Sequence, residues 1–357
     1  MNYLFMGSPS QNAPWIDYCI KNSLNFLSFN FEQPTQVRQF TSLQNVHKAV
    51  SEVTRRAISV THNLPLSTNF YELLLFLSTH NFSPHYVVNS SEIPLYVDLE
   101  YRLNNHFNCL TSFCDKSREF FKYKSYQDKV CKILGIPIIP ETGDYLCVKR
   151  DAKNFATPRD IPKIRSASKL YKARPGEYTQ AWMSVDYLLN ARIYFDTLGR
   201  PHFLAASKMF IRNNLCTLVF EPYQPTKHEN ELIHTRLRLI SEYFNVRNRY
   251  CHWQFMKAHD DVNYYPMDFN CRYSGDLHTH HADHKVFEMD YAKILLERSL
   301  LPQTALITKS RVTKLMFHDH NYTDREVRKI VSWVALDDAA NHSFVNADEV
   351  FFVRRED

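Results

Sequence analysis

Glycine is scarce in this chain. Only Gly7, Gly135, Gly143, Gly176, Gly199 and Gly275 occur among 357 residues, against a usual share of roughly 7%. No two of them stand close enough to form GxGxxG or GxxxxGK[ST], motifs that cluster glycines so that backbone N–H groups can approach phosphate. A dinucleotide fingerprint, a Walker loop and a kinase glycine-rich loop are thereby excluded. A nucleotide bound here has to be held by side chains. Long apolar runs are also missing, and the longest, Leu73–Leu77, is far short of the ~18–20 residues of a membrane span. Met1–Gly7 has no basic stretch before its apolar residues, and Asp17 follows soon after. Both facts predict a cytoplasmic protein without a signal peptide or membrane contact. A dominant charge is lacking as well: the net +5 is modest and evenly spread, which gives no nucleic-acid footprint. The eight cysteines contain no CxxC and no framework-like spacing, and they read as free thiols in a reducing compartment.

What is present describes a globular chain with an ample core. Hydrophobic residues make up 44%, with 25 Phe and 21 Tyr, and the length suits roughly two or three domains. Asn2–Met6 reads as a buried strand, followed by a turn at Gly7–Ser10 and a helix from about Ala13 to Asn22. Leu24–Phe29, Ala57–Val60 and Tyr86–Asn89 read as further strands, with a helix over Phe70–Thr79. Strands alternating with helices predict a parallel α/β layer over the first ~110 residues. Asp115–Leu134 predicts one long helix closed by Gly135, and Tyr145–Val148 a strand ending in Lys149. The polar, proline-bearing segment Asp151–Pro175 reads as mobile. Strands follow over Tyr178–Phe195, Pro201–Phe210, Tyr250–Met256 and Tyr264–Asn270, with helices over His228–Phe244, Asp290–Ser299 and Asp324–Ala335. Glu349–Arg354 predicts a last strand.

The most informative stretch is YCHWQFMKAHDDVNYYPMDFNCRYSG, residues 250–275. It reads as two antiparallel strands in which Asp268, Asn270 and Arg272 share one face. A carboxylate, a carboxamide and a guanidinium in line suit a hard cation and phosphate oxygens. Gln254 stands directly across the hairpin. A solvated face on an ordinary edge strand is the competing interpretation, since polar alternation is common on half-buried strands.

At this hairpin the chain resembles the ATP-grasp superfamily, whose last core hairpin carries an acid on one strand and Glu-x-Asn-x-Arg on the next. Asp268 stands in place of that Glu, Asn270 and Arg272 are in register, and Gln254 replaces the first acid. Earlier segments follow the family's order. Lys124 leads a helix that ends in Gly135-Ile136-Pro137, with Asp115-Lys116 as a rival. Lys149 ends a Val-Lys strand. Gln180, Ala181 and Met183 fall on the adenine hinge, and Asp186 is the candidate for the ribose hydroxyls. The resemblance covers roughly residues 115–300. One departure is the lid, where Lys149–Gln180 has only Gly176, and Ser166, Ser168 and Lys169 would substitute.

The resemblance implies an α/β (α+β) ATP-grasp fold. Its parts would be an N-terminal parallel α/β domain (1–113), a central lid subdomain (114–179), a C-terminal antiparallel-sheet subdomain (180–300) and an extension (301–357). It implies ATP and two Mg²⁺ as cofactors, with Gln254, Asp268 and Asn270 as metal ligands. Lys124, Lys149, Gln180, Ala181, Met183 and Asp186 would hold the nucleotide, and Arg272 and Lys149 would be catalytic. The implied reaction activates a carboxylate as an acyl phosphate and joins it to an amine, in an amino acid or small peptide. Basic residues in Lys208–Arg212 would receive the substrate carboxylate. The partners are these small molecules, with a homodimer left open. A non-catalytic regulatory nucleotide-binding protein on the same fold is the alternative. His280 and His284 stand at helical i,i+4 spacing, but no Cys or Glu completes a zinc set. The segment His278–His284 therefore reads as a polar loop.

Overall fold

The structure is a computed structural model that describes residues 1–31, 40–42, 46–91, 93–111, 113–151, 163–165, 175–212, 215–220, 227–259, 261–272, 283, 286, 291–297, 312–317 and 349–354. The first unit is a parallel sheet in the order β4-β2-β1-β5. Its strands are β1 (Asn2–Met6), β2 (Asn25–Phe31), β4 (Thr61–Leu64) and β5 (Tyr86–Asn89). Leu4, Phe5, Met6, Phe29 and Phe31 are all fully buried, the continuous apolar pattern of a parallel sheet covered on both faces. The covering helices are α1 (Pro9–Lys21), α2 (Val46–Val60), α3 (Phe70–Thr79) and α4 (Pro94–Phe107). A capping box fixes the start of α3. Asn69 Oδ1 accepts from the N–H groups of Tyr71 and Glu72, and Glu72 accepts from the Asn69 N–H at 2.7 Å.

Two expectations about this unit are corrected. Helix α1 begins at Pro9, because proline is well suited to the first helical turn. Ala57–Val60 is the end of α2 and the strand follows it. Ile58 and Val60 are exposed while Ala57 is buried, so helical packing of one face overrides the strand preference of the β-branched residues.

The second unit is a small antiparallel sheet in the order β7-β6-β8, from β6 (Tyr145–Arg150), β7 (Lys163–Arg165) and β8 (Glu177–Ala181). β7 lies inside the segment expected to be mobile. The single helix expected over Asp115–Leu134 is two helices, α5 (Asp115–Lys122) and α6 (Lys124–Ile133), with Tyr123 extended between them (φ −125°, ψ 128°). The break has a tertiary cause. The N–H groups of Lys124 and Ser125 bond to the Asp151 carbonyl (3.0 Å) and its Oδ1 (2.8 Å) instead of to the preceding turn.

The largest element is an eight-stranded sheet in the order β13-β12-β9-β10-β11-β14-β15-β3. It contains β3 (Phe40–Ser42), β9 (Val185–Phe195), β10 (Pro201–Arg212), β11 (Leu215–Phe220), β12 (Arg249–Ala258), β13 (Tyr264–Asn270), β14 (Val312–Phe317) and β15 (Glu349–Arg354). Helices α7 (Lys227–Phe244) and α8 (Tyr291–Glu297) complete the described elements. On the back of this sheet Leu189, Ala191, Ile193, Trp253, Phe255 and Phe269 join Phe120, Phe121 and Val130, together with Leu237 and Phe244 of α7, in the main core. The period of two places every alternate residue on the front face. Asp324–Ala335, the residues of His278–His284 other than Asp283, and the substitute lid residues Ser166, Ser168 and Lys169 lie outside the described residues.

Candidate active site

The front face of the sheet has three zones. At one end Leu188, Met256 and Tyr265 form an apolar patch with Ile139, Ala181 and Ala258, against which Met183, Met209 and Met267 pack. At the other end Tyr194 and Tyr250 pack with Trp15 of α1 and Leu295 of α8. A polar band crosses between them. Its first row is Asp268, Gln254, Asn190 and Ser207, and its second is Asn270, His252 and Arg192, each pair in cross-strand register.

Hydrogen bonds organise the band. Asn190 Oδ1 accepts from Gln254 Nε2 at 2.8 Å and lies 3.2 Å from His252 Nε2. Asn270 Nδ2 donates to Asp268 Oδ2 at 3.1 Å. Arg192 is almost fully buried. Its Nη1 donates to Ser207 Oγ (2.7 Å) and to the Asn190 carbonyl (2.6 Å), and its Nε faces Asp283 Oδ2 at 3.2 Å. Asp283 was expected in a polar loop, yet it is fully buried. Its charge is neutralised by Arg192, as a buried carboxylate requires.

These bonds decide what the band offers a cation. The amide nitrogens of Gln254 and Asn270 both donate to protein acceptors, so the oxygen groups of the band are their two carboxamide oxygens and the Asp268 carboxylate. Among the described residues no group of three or more His, Cys, Asp and Glu side chains gathers. One carboxylate and two amide oxygens fit Mg²⁺, which prefers oxygen and completes its shell with water and phosphate.

Of the two predicted lysines, Lys149 reaches the front face of the sheet. Lys149 is buried, and its Nζ lies 3.8 Å from Met267 Sδ. Burial is the largest influence on it and lowers its pKa. Lys124 pushes the same way, while Asp128 and Asp268 push back. Lys149 is thus within electrostatic reach of both Lys124 and Asp268. Tyr178, opposite Lys149 in β8, has its hydroxyl pKa raised by burial and by Asp128 and Asp268. The rival Lys116 is turned away, with its ammonium 5.1 Å from the Tyr243 ring. Gln180 is buried and donates to Asp128 Oδ2 at 2.5 Å. The N–H of Ala181 is taken by the Pro140 carbonyl at 2.7 Å, so Ala181 would meet a base through its own carbonyl. Met183 borders the apolar patch, and Asp186 is exposed near the start of β9.

Arg272 lies just past the end of β13. It lines an open cleft with Gln11, Trp15, Asn89, Ser90 and Arg249. The cleft lies beyond the carboxyl ends of β1 and β5, where the strand order of the parallel sheet reverses, a general location for ligands in open α/β sheets. Lys208 does not join the site. It pairs with Leu189, on the opposite face from Ser207, and its ammonium lies over the Tyr187 ring at 5.0 Å.

Sequence reasoning missed Gln127, Asp128, Asn190, Arg192 and His252. Asn190 and Arg192 did leave a signal, as two polar residues alternating inside the otherwise apolar run Leu188–Phe195. Asp128 and Gln127 left none, because their helix is polar along most of its length.

No protein-family model and no curated protein sequence matches the chain. Solved structures do. Rhizobium etli pyruvate carboxylase matches at TM-score 0.61 and 14% identity over 85% of this chain, which spans 29% of that one. The L-amino acid ligase from Bacillus licheniformis matches at TM-score 0.60 and 10% identity, covering 83% of this chain and 73% of the ligase. The biotin carboxylase domain of Hydrogenobacter thermophilus 2-oxoglutarate carboxylase, in complex with MgADP, ADP and bicarbonate, matches at TM-score 0.57 and 12% identity. It covers 84% of this chain and 70% of that domain's chain. With a parallel α/β unit, a small lid sheet and a large antiparallel sheet bearing the Asp268–Asn270 hairpin, the chain has the fold of the ATP-grasp superfamily.

Proposed function

We propose that this protein is an ATP-dependent ligase that joins a carboxylate to an amine. The observation that carries the reading is that the buried Lys149, beside the methionine-rich patch, lies within electrostatic reach of both Asp268 on the polar band and Lys124. In this reading the patch and the hinge Gln180–Met183 take the adenine, Asp186 the ribose, and the two lysines the phosphates. Asp268, Asn270 and Gln254 would hold Mg²⁺, which supplies charge neutralisation on phosphate oxygens. The substrate carboxylate oxygen attacks the terminal phosphorus of ATP, ADP leaves, and an acyl phosphate results. The amine then displaces phosphate to form the amide. Arg272, in the lining of the cleft, would steady the oxyanion of that second step. The L-amino acid ligase likeness and the cleft between the parallel sheet and the hairpin support amino acids or small peptides as substrates. The division into 1–113, 114–179, 180–300 and 301–357 belongs to the same proposal.

The test is ADP release from ATP and Mg²⁺ over a panel of amino-acid pairs, with nucleotide binding followed by melting temperature. A rise in melting temperature with Mg²⁺ and ATP, plus ADP release with at least one pair, is expected. The neutral Gln254 in place of an acid favours a second reading, a nucleotide-binding regulator, which predicts the temperature rise without turnover in any mixture.

A further inference from the structure

β13 is the edge of the eight-stranded sheet, and an edge strand has backbone groups with no neighbouring strand to pair them. At Phe269 a side chain replaces that neighbour. Gln127 Oε1 accepts from the Phe269 N–H at 3.0 Å, and Gln127 Nε2 donates to the Phe269 carbonyl at 2.7 Å. The same Nε2 donates to the Phe120 carbonyl at 2.8 Å, a group near the end of α5 with no helical partner to use it. Gln127 is itself buried, at 5% exposure. The Phe269 ring is fixed independently, 4.8 Å from Trp253 and 5.3 Å from Phe120 between ring centroids.

Phe269 separates Asp268 from Asn270, the two strand residues that offer oxygen to a cation. Gln127 stands one turn after Lys124 and next to Asp128 on α6, whose first turn is tied to Asp151, two residues beyond Lys149. One carboxamide therefore joins the helix of the phosphate-facing lysine to the strand of the acid. We propose that Gln127 is a positioning residue, holding the Phe269 backbone so that Asp268 and Asn270 present their oxygens to a divalent cation in register with Lys124. This inference rests on the ligase reading above.

The alternative is a purely structural role, in which Gln127 satisfies buried backbone groups and nothing more. Gln127→Glu separates the two, because it can accept from the Phe269 N–H but cannot donate to either carbonyl when ionised. Val130→Ala is the control, a cavity in the same helix and core that removes neither of the Gln127 hydrogen bonds to Phe269. The Mg²⁺ concentration giving half-maximal ATP binding is measured by calorimetry for the wild type and both variants. Disturbing a group that orients a metal ligand typically costs ~10–100-fold in metal affinity. Gln127→Glu should therefore raise the half-maximal Mg²⁺ about tenfold or more, with Val130→Ala within about twofold of wild type. Equal shifts in the two variants, or none in Gln127→Glu, overturn the inference. If the wild type shows no Mg²⁺-dependent ATP binding, the ligase reading has failed and this inference with it. Should Gln127→Glu not fold, hydrogen exchange of the wild-type Phe269 amide decides. Slower exchange with Mg²⁺ and ATP than with ATP alone is expected, and equal rates overturn the proposal.

Discussion

Arg249, the first residue of β12, lays its guanidinium against the carboxylate of Glu100 on α4, with Nη1 3.2 Å from Oε2. Both side chains are almost wholly buried, at 4% and 0% exposure, and Arg249 Nη1 also donates to the Cys271 carbonyl at 2.9 Å. The pair fastens the parallel α/β unit to the hairpin of the candidate site. Breaking such a pair strands a buried charge, at a cost of about 3–5 kcal/mol. Glu100→Gln and Arg249→Met should each lose that much in urea unfolding, and the double variant should regain part of it. A loss below about 1 kcal/mol in both single variants would show the pair to be dispensable.

Lys149 is a buried cation whose pKa is lowered by burial. Lys149→Met removes the cost of desolvating that charge. The expected result is an unchanged or higher melting temperature without ligand, together with loss of the ATP-induced rise. This is the trade between stability and function common at binding sites. An ATP-induced rise equal to that of the wild type would remove Lys149 from the nucleotide site.

Asp128 has its pKa raised from 3.8 to about 6, chiefly by burial, with Lys149 and Gln180 pulling the other way. Between those values the folded protein keeps a proton that the unfolded chain has lost. Stability should therefore fall as pH rises from about 4 to about 6 and level off above. Melting curves over that range should show the slope in the wild type and a flatter one in Asp128→Asn. Identical slopes in the two proteins would refute the assignment.

Asp196 behaves in the opposite sense. Burial alone would raise its pKa, but hydrogen bonds from His202 and Arg200 outweigh it and lower the pKa from 3.8 to about 2. Its contribution is complete above the unfolded value and vanishes as pH falls through the folded one. Asp196→Asn should cost about 2 kcal/mol at neutral pH, and the difference from wild type should close near pH 2. A constant difference across that range would mean that charge is not the cause.

Asp268→Asn and Arg272→Ala should each lower ADP release at least about 100-fold, the scale of removing a charge-stabilising group, with melting temperatures close to wild type. Near-normal turnover in either variant would misplace the site.

Most strands were legible in the sequence because their periodicity and their core agree. Asn2–Met6, Tyr86–Asn89 and the hairpin around Asp268 are buried where their patterns put them. The errors came where a distant partner decided the outcome. Tyr123 interrupts a helix because Asp151 takes the next two N–H groups, and Ile58 and Val60 are helical despite strand-like side chains. In the site, the order of Lys124, Lys149 and Asp268 could be read from motifs. The roles of Gln127, Asn190 and Arg192 could not, since each depends on a bond to an element far away in the chain.

The far edge of the large sheet pairs Phe40, Thr41 and Ser42 with Val353, Phe352 and Phe351. During synthesis at ~5–20 residues per second, residues 40–42 precede their partners by about 15 to 60 s. For that interval β3 lacks its one neighbour among the described strands. The edge of the sheet farthest from the candidate site therefore pairs the two strands most widely separated in the sequence.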